Sequence, residues 1–366
     1  MTTDFARRLL DWHSLHGRHD LPWQHPRSAY RVWVAEVMLQ QTQVATVIPY
    51  YQRFMEAFPD LAALAAAPLD AVLAHWAGLG YYSRARNLHA AAQRCMQNGG
   101  ELPADAAALA ELPGIGRSTA AAILAQAHDQ RLAILDGNVR RVLCRMFGIE
   151  GWPGEREVER RLWQLSEALL PAPPLAEGRM ADYTQAIMDL GATLCRRARP
   201  DCPRCPFRAD CVALRRDQVA DLPTSRPRKA VPRRRCVALW IDDGRGQWLL
   251  ERRPPVGIWG GLWSLPQFDS RAEAEGWAAA LGRLGEATAL APVEHVFTHF
   301  RLTIEPLRLR LLEASARLAD NAALDWIDPA RLGDYGLPAP IRRLLQAERG
   351  AQAGLFGAMP DTATSL

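Results

Sequence analysis

Four cysteines, Cys195, Cys202, Cys205 and Cys211, fall within seventeen residues of one another, with gaps of six, two and five residues between them. Thiolates are soft ligands, and a compact loop brings four of them together. One Cys-x-x-Cys pair flanked by two more distant cysteines differs from the paired knuckles of a zinc ribbon. It suits the Cys₄ ligation of an iron–sulfur cluster better, with a structural zinc as the alternative. A fold carrying this loop must present it on a stable scaffold, because so short a segment has no core of its own. The other three cysteines, Cys95, Cys144 and Cys236, are scattered and read as core residues.

A chain of 366 residues can bury more than one core, so two domains are expected. The apolar fraction of 49% and charged fraction of 23% suit a globular protein. No apolar run reaches bilayer length, and the start MTTDFARRLL lacks the apolar segment of a signal peptide. A cytoplasmic protein with reduced thiols and no membrane partner is therefore expected. The net charge of +4 is mild, but basic residues cluster. Arg226, Arg228, Lys229, Arg233, Arg234 and Arg235 lie together, and seven arginines crowd the cysteines. Such clusters fit a polyanionic partner or, more plainly, a solvated linker. Lys229 is the only lysine in the sequence.

Apolar residues recur at helical spacing through residues 1–220, punctuated by Pro and Gly pairs, so this stretch reads as a mainly α domain. Residues 221–235, DLPTSRPRKAVPRRR, read as a basic, proline-rich linker. Beyond it RCVALWIDD, GQWLLERR and FRLTIEPLRLRLLE read as strands, with helices near 271–284 and 341–348. Residues 236–348 thus form a smaller α+β domain, and 349–366 an unstructured tail.

Within AALAELPGIGRSTAAAILAQA, Gly114 and Gly116 sit in a turn between two helices. Amides exposed there, at the start of the helix carrying Ser118, would seat a phosphate without reading sequence; an ordinary helix–turn–helix corner is the alternative. Asp136 precedes a helix beginning near Val139. It reads as an N-cap, and a carboxylate so placed is expected to stay ionised. Glu36 interrupts the apolar helix VWVAEVMLQQ. It is either a buried acid paired with an arginine or an acid with a raised pKa, able to donate a proton near neutrality. Together Glu36 and Asp136 supply what breaking a glycosidic bond requires: one acid for the leaving group and one carboxylate for the oxocarbenium-like sugar. In a nucleic-acid enzyme the leaving group is a base, flipped out of the stack.

The strings LPWQ (21–24), EVMLQQTQV (36–44), GLGYYSRARNLH (78–89), LPGIGRSTA (112–120) and LDGNVRRV (135–142), with the cysteine spacing, cover about residues 5–215. They resemble the helix–hairpin–helix DNA glycosylases that carry a C-terminal [4Fe–4S] loop, and among these the MutY family of adenine DNA glycosylases. The resemblance implies removal of adenine mispaired with 8-oxoguanine or guanine in duplex DNA, by a bacterial, nucleoid-associated monomer holding one [4Fe–4S] cluster. It implies that Glu36 protonates adenine and that Asp136, supported by Asn138, stabilises the cation. Gln41 and Tyr81 would fill or wedge the duplex, and Arg18, Trp23 and Gln185 would line the adenine pocket. Endonuclease III shares the core but attacks the sugar with a lysine two residues after the last hairpin glycine. Ser118 stands there, which implies base removal without strand cutting. ERRPPVGIWGGLWSLPQF (251–268) and HVFTHFRL (295–302) resemble the Nudix-like domain of the same family. The carboxylate array of a Nudix hydrolase is missing after Gly261, so lesion reading is expected rather than nucleotide hydrolysis. Phe297, Thr298 and His299 match the loop that reaches 8-oxoguanine, with a half-buried strand residue as the plainer reading of His299. Gln352, Leu355 and Phe356 resemble a sliding-clamp-binding peptide, with a chance match as the alternative.

Overall fold

The computed structural model describes residues 2–174, 178–226, 231–254, 257–297, 299–314 and 323–356, with backbone alone at 2–3 and 348–356. Among the described residues, twelve helices occupy the first part: α1 (Thr2–His16), α2 (Ala29–Leu39), α3 (Val44–Ala57), α4 (Leu61–Ala66), α5 (Leu69–Trp76), α6 (Ser83–Gln97), α7 (Ala106–Ala110), α8 (Arg117–His128), α9 (Gly137–Phe147), α10 (Arg156–Ala168), α11 (Arg179–Asp189) and α12 (Val212–Arg215). Nine strands follow among the described residues: β1 (Arg233–Asp242), β2 (Trp248–Arg252), β3 (Trp263–Ser264), β4 (Gln267–Phe268), β5 (Gly282–Leu284), β6 (Thr288–Ala289), β7 (Val293–Val296), β8 (Arg301–Ala314) and β9 (Leu324–Ile327). Helix α13 (Arg271–Leu281) lies among them and α14 (Ala339–Phe356) closes the described chain.

The chain forms two compact units. One comprises Met1–Ala66 and Asn87–Arg228, the other Ala67–Arg86 and Lys229–Leu366. The division is not the linear one expected from composition, because 67–86 belongs with the sheet. Asp70 pairs with Arg252 at 2.9 Å, Tyr82 Oη donates to the Leu337 carbonyl at 3.1 Å, and the Arg86 guanidinium donates to the Gly260 carbonyl. No periodicity reports partners 170 or more residues away.

In the helical unit, polar residues set the helix limits. Ser28 Oγ accepts from the Arg31 amide at the start of α2, and Asp105 Oδ1 from the Ala108 amide at the start of α7. Asp129 ends α8 in the left-handed region (φ 53°), and its carboxylate accepts from the amides of Gly178, Met180 and Ala181, capping α11. Between α7 and α8, Gly114 has φ 79°, and a Cβ there would lie 2.8 Å from Asn87 Cβ. Glycine is required on both counts. Helix α2 is buried at Val32, Trp33, Val34, Ala35, Val37 and Met38, and it packs on α8, whose Ala120–Gln126 run is also buried. A helix apolar nearly all round belongs at the centre of a bundle.

In the second unit, β1 pairs in parallel with β8 from Arg233↔Arg301 to Asp242↔Arg310. The expected linker therefore ends early: Arg233–Arg235 are strand residues, since β8 supplies them a ladder. The strand order is β3-β2-β1-β8-β5, with β9 on β2, β4 on β1, and β6 and β7 on β8. Ala274, Ala278 and Leu281 of α13 pack on Val237, Leu239 and Leu309. Helix α14 continues to Phe356, past the boundary expected at 348; alanine, glutamate and glutamine through this stretch favour helix. The side chains of Gln352, Leu355 and Phe356 lie outside the described residues, as does 357–366.

Candidate active site

A cavity of about 1070 Å³ opens in the helical unit, and it is lined by Glu36, Asp136, Arg18, Trp23, Gln41 and Gln185 among others. Ser118 and Asn138 also line it. Eight of the residues singled out from sequence thus converge on one space, from α2, α8, α9, α11 and the loops after α1 and α2.

Glu36 is presented by the buried helix α2, and its Oε1 accepts one hydrogen bond, from Gln126 Nε2 at 2.9 Å. Burial pushes its pKa up to about 7; the Gln126 bond opposes this and the nearby Asp136 adds to it. Asp136 is the N-cap of α9, its Oδ1 accepting from the Val139 amide at 2.8 Å and its Oδ2 from Asn138 Nδ2 at 3.0 Å. Asn138 is held in turn, its Oδ1 accepting from Arg141 at 2.8 Å. The sequence reading expected the helix start to hold the Asp136 pKa down. The direction is upward: burial outweighs the Val139 amide, Asn138 and Arg141, which all pull it down. The two acids remain unequal, because Asp136 has two donors and a nearby cation where Glu36 has one neutral donor. The pair is thus electrostatically asymmetric, with more stabilisation of negative charge at Asp136 than at Glu36.

The rest of the cavity wall is equally fixed. Trp23, 3% exposed, meets Tyr51 edge to face at 5.3 Å between centroids. Arg18 and Gln185 both bond Asp189, which is fully buried. Ser118 Oγ accepts from the Leu135 amide at 2.9 Å, fastening the chain just before Asp136. Gln41 has φ 57°, a left-handed conformation costly for a residue with a Cβ. The hairpin glycines Gly114 and Gly116 are not part of the cavity wall.

In the second unit, Tyr81 has φ 50° and is 43% exposed, with the Arg84 guanidinium 5.3 Å from its ring centroid. Phe297 stacks on Phe300 at 4.3 Å, with Trp259, itself at φ 55°, tilted at 5.7 Å from Phe297. His299 is exposed and lies between β7 and β8 rather than in a strand. Thr298 lies outside the described residues.

Cys195, Cys202, Cys205 and Cys211 are free thiols around one small cavity. Burial pushes the Cys205 thiol up to about 11, and the neighbouring thiols add to the shift. A wider, π-type turn (Leu190–Leu194) leads from α11 into the loop, and buried Arg145 ties it down through the carbonyls of Arg196, Arg197 and Leu222. Among the described residues, no three His, Cys, Asp or Glu side chains close on a point that would hold a single metal ion. Four cysteines lining one cavity suit the Cys₄ ligation of an iron–sulfur cluster. Among the described residues, no helix is long and apolar enough to cross a membrane.

Sequence reasoning missed Gln126, Arg141 and Asp189. Gln126 was visible as a lone polar residue in the apolar helix AAAILAQA, whereas Asp189 lies in ADYTQAIMDLGA among Asp182, Thr184 and Gln185 and does not stand out. Their partners were not visible, being 90 and 171 residues away.

Residues 34–168 match the HhH-GPD superfamily of base excision DNA repair proteins, and residues 236–347 the NUDIX domain. The chain is 34% identical to an adenine DNA glycosylase of Buchnera aphidicola subsp. Acyrthosiphon pisum, over 93% of this chain and 97% of that protein. It is 37% identical to the adenine DNA glycosylase of Mus musculus, over 88% of this chain and 74% of that protein, and 34% identical to that of Homo sapiens, over 96% and 75%. Among solved structures, a thermostable thymine-DNA glycosylase matches with a TM-score of 0.51 at 27% identity, covering 58% of this chain and 96% of that one. With identity above 30% over most of its length, the chain belongs to the adenine DNA glycosylase family.

Proposed function

We propose that the protein hydrolyses the N-glycosidic bond of adenine mispaired with 8-oxoguanine or guanine in duplex DNA, leaving an abasic site. The observation that carries this reading is the unequal carboxyl pair, Glu36 and Asp136, facing one cavity. Glu36 gives its proton to a ring nitrogen of the flipped adenine, so the base departs neutral. The electron pair of the glycosidic bond leaves with it, and the sugar becomes an oxocarbenium-like cation. Ionised Asp136 faces that cation until water adds to the anomeric carbon and releases a proton. With Ser118 at the hairpin and Lys229 the sole lysine, the helical unit offers no lysine amine for a Schiff base. Release therefore stops at the abasic site.

Arg18, Trp23 and Gln185 form the base pocket, and Gln41 and Tyr81 enter the duplex. Gly114 and Gly116 present backbone amides to phosphate. Phe297, Thr298 and His299 read the 8-oxoguanine. The four cysteines hold one [4Fe–4S] cluster, a structural brace for an arginine-rich loop facing DNA phosphates, in a protein working as a monomer in the reducing bacterial cytoplasm. Gln352, Leu355 and Phe356 supply a sliding-clamp anchor; calorimetry with the clamp before and after deletion of 350–366 tests this last point, and unchanged affinity removes it.

Incubation with a duplex carrying one adenine opposite 8-oxoguanine, followed by alkali, tests the main reading. A strand break at the adenine only after alkali is expected. Cleavage without alkali, together with a borohydride-trapped adduct, would overturn the monofunctional assignment.

A further inference from the structure

Asp189 is wholly buried, four residues after Gln185 on α11. Its Oδ1 accepts from Gln185 Nε2 at 2.7 Å and from Arg18 Nε at 2.8 Å, and its Oδ2 accepts from the Arg18 backbone amide at 2.7 Å. An ionised carboxylate only accepts hydrogen bonds, so only the NH₂ end of the Gln185 amide can turn towards it. Burial disfavours the charge, but the favourable approach of His13 and Arg18 outweighs it and holds Asp189 below the ordinary carboxylate range. His13 Nε2 stands 3.6 Å away, too far for a hydrogen bond, so Arg18 is the partner that matters. Gln185 itself is 4% exposed and lines the cavity. With its nitrogen committed, its carbonyl oxygen is the end left for a ligand, and among the described residues that oxygen has no hydrogen-bond partner.

We propose that Asp189 is a specificity-determining positioning residue: by locking the Gln185 amide with its oxygen towards the cavity, it makes the pocket accept a purine with an exocyclic amine and reject one with a 6-oxo group. The inference rests on the assignment of this cavity as the base pocket. Adenine offers an N–H donor to the fixed oxygen. Hypoxanthine has the same shape but presents a carbonyl, so two acceptors meet in a buried site. A group fixed to pair with a donor discriminates well against an analogue lacking it. Arg18 completes the lock from the loop after α1 and offsets the cost of an anion at the C-terminal end of α11, where the helix dipole disfavours it.

The test compares single-turnover release of adenine and of hypoxanthine, each opposite 8-oxoguanine, by the full-length wild type, Asp189→Asn, Gln185→Leu and the double variant. Asparagine keeps an acceptor for Arg18 but turns its own NH₂ towards Gln185, which flips the glutamine amide. The adenine-to-hypoxanthine rate ratio is expected to fall on the order of tenfold or more in each single variant. The double variant should fall no further than Gln185→Leu alone, because Asp189 acts through that amide. A merely structural role would slow both bases equally and leave the ratio unchanged. A wild-type ratio in folded Asp189→Asn, or in Gln185→Leu, overturns the proposal. Where circular dichroism shows Asp189→Asn unfolded, Arg18→Met with Asp189→Asn removes both charges and is measured in its place, with the same expected fall. Failure of the wild type to release adenine at all would instead sink the assignment of the pocket.

Discussion

Gln126 donates its amide N–H to Glu36 at 2.9 Å, across the packed faces of α8 and α2. This bond favours the charged acid and so opposes the burial that lifts the Glu36 pKa to about 7. Removing it with Gln126→Leu should raise that pKa further. The alkaline fall in single-turnover base release, expected near pH 7 in the wild type, should move to higher pH. A profile measured from pH 5 to 9 checks this, and a shift to lower pH would contradict it.

Glu36→Gln should abolish base release and leave affinity for an adenine–8-oxoguanine duplex within a few-fold. It should also change stability in a pH-dependent way. The folded pKa of Glu36 is about 7 against an ordinary 4.5, so the native state binds the extra proton between those values. Wild-type stability at this site is greatest below 4.5 and is lost as pH rises through 7. Glu36→Gln escapes that loss. Its advantage over the wild type in urea unfolding should grow by up to about 3 kcal/mol from pH 4.5 to pH 7 and stay level above.

Asn138→Ala removes a donor to Asp136 at 3.0 Å and unties the Arg141 contact. The Asp136 carboxyl should rise further, so the acid limb of the rate profile moves to higher pH. Release at neutral pH should slow on the order of tenfold, the cost of about one hydrogen bond to a charged group. Unchanged melting beside slowed release would separate this effect from a general loss of fold.

Arg145 is 3% exposed and bonds the carbonyls of Leu222 at 2.8 Å and Arg196 at 2.7 Å. Arg145→Met keeps the bulk but orphans these carbonyls. A loss of about 3 kcal/mol or more is expected from two or three unpaired buried groups. Thermal melting reports it, and iron content should fall in parallel as the cysteine loop loosens.

Gln41→Gly relieves a left-handed backbone at φ 57°. Stability should rise by about 1 kcal/mol. Base release should nevertheless fall, because the side chain proposed to enter the duplex is gone. A variant that melts higher and works worse would identify the strain as functional.

Much of this was legible in the sequence because its evidence is local. Asp136 announces itself as a helix cap from GNVRRV, and Glu36 as an acid on an apolar helix. The cysteine loop reads from spacing alone. The strands were legible from their texture, but the start of β1 was not: Arg233–Arg235 look like linker until β8 pairs with them. Likewise Tyr81 could be singled out, but not the attachment of its segment to the sheet unit through Tyr82 and Arg86. The Asp136 pKa was misjudged because a cap motif counts donors and does not see burial. What escaped, in each case, was an interaction whose partner is remote in the chain.

The Ser118 hydroxyl, which accepts the Leu135 amide, bears on how this enzyme class diversifies. On the reading given above, its position decides between removing a base and cutting a strand. A lysine there would supply the nucleophile but withdraw the acceptor, leaving the backbone ahead of Asp136 unfastened. Position 118 thus touches both the available nucleophile and the fastening of the chain ahead of Asp136.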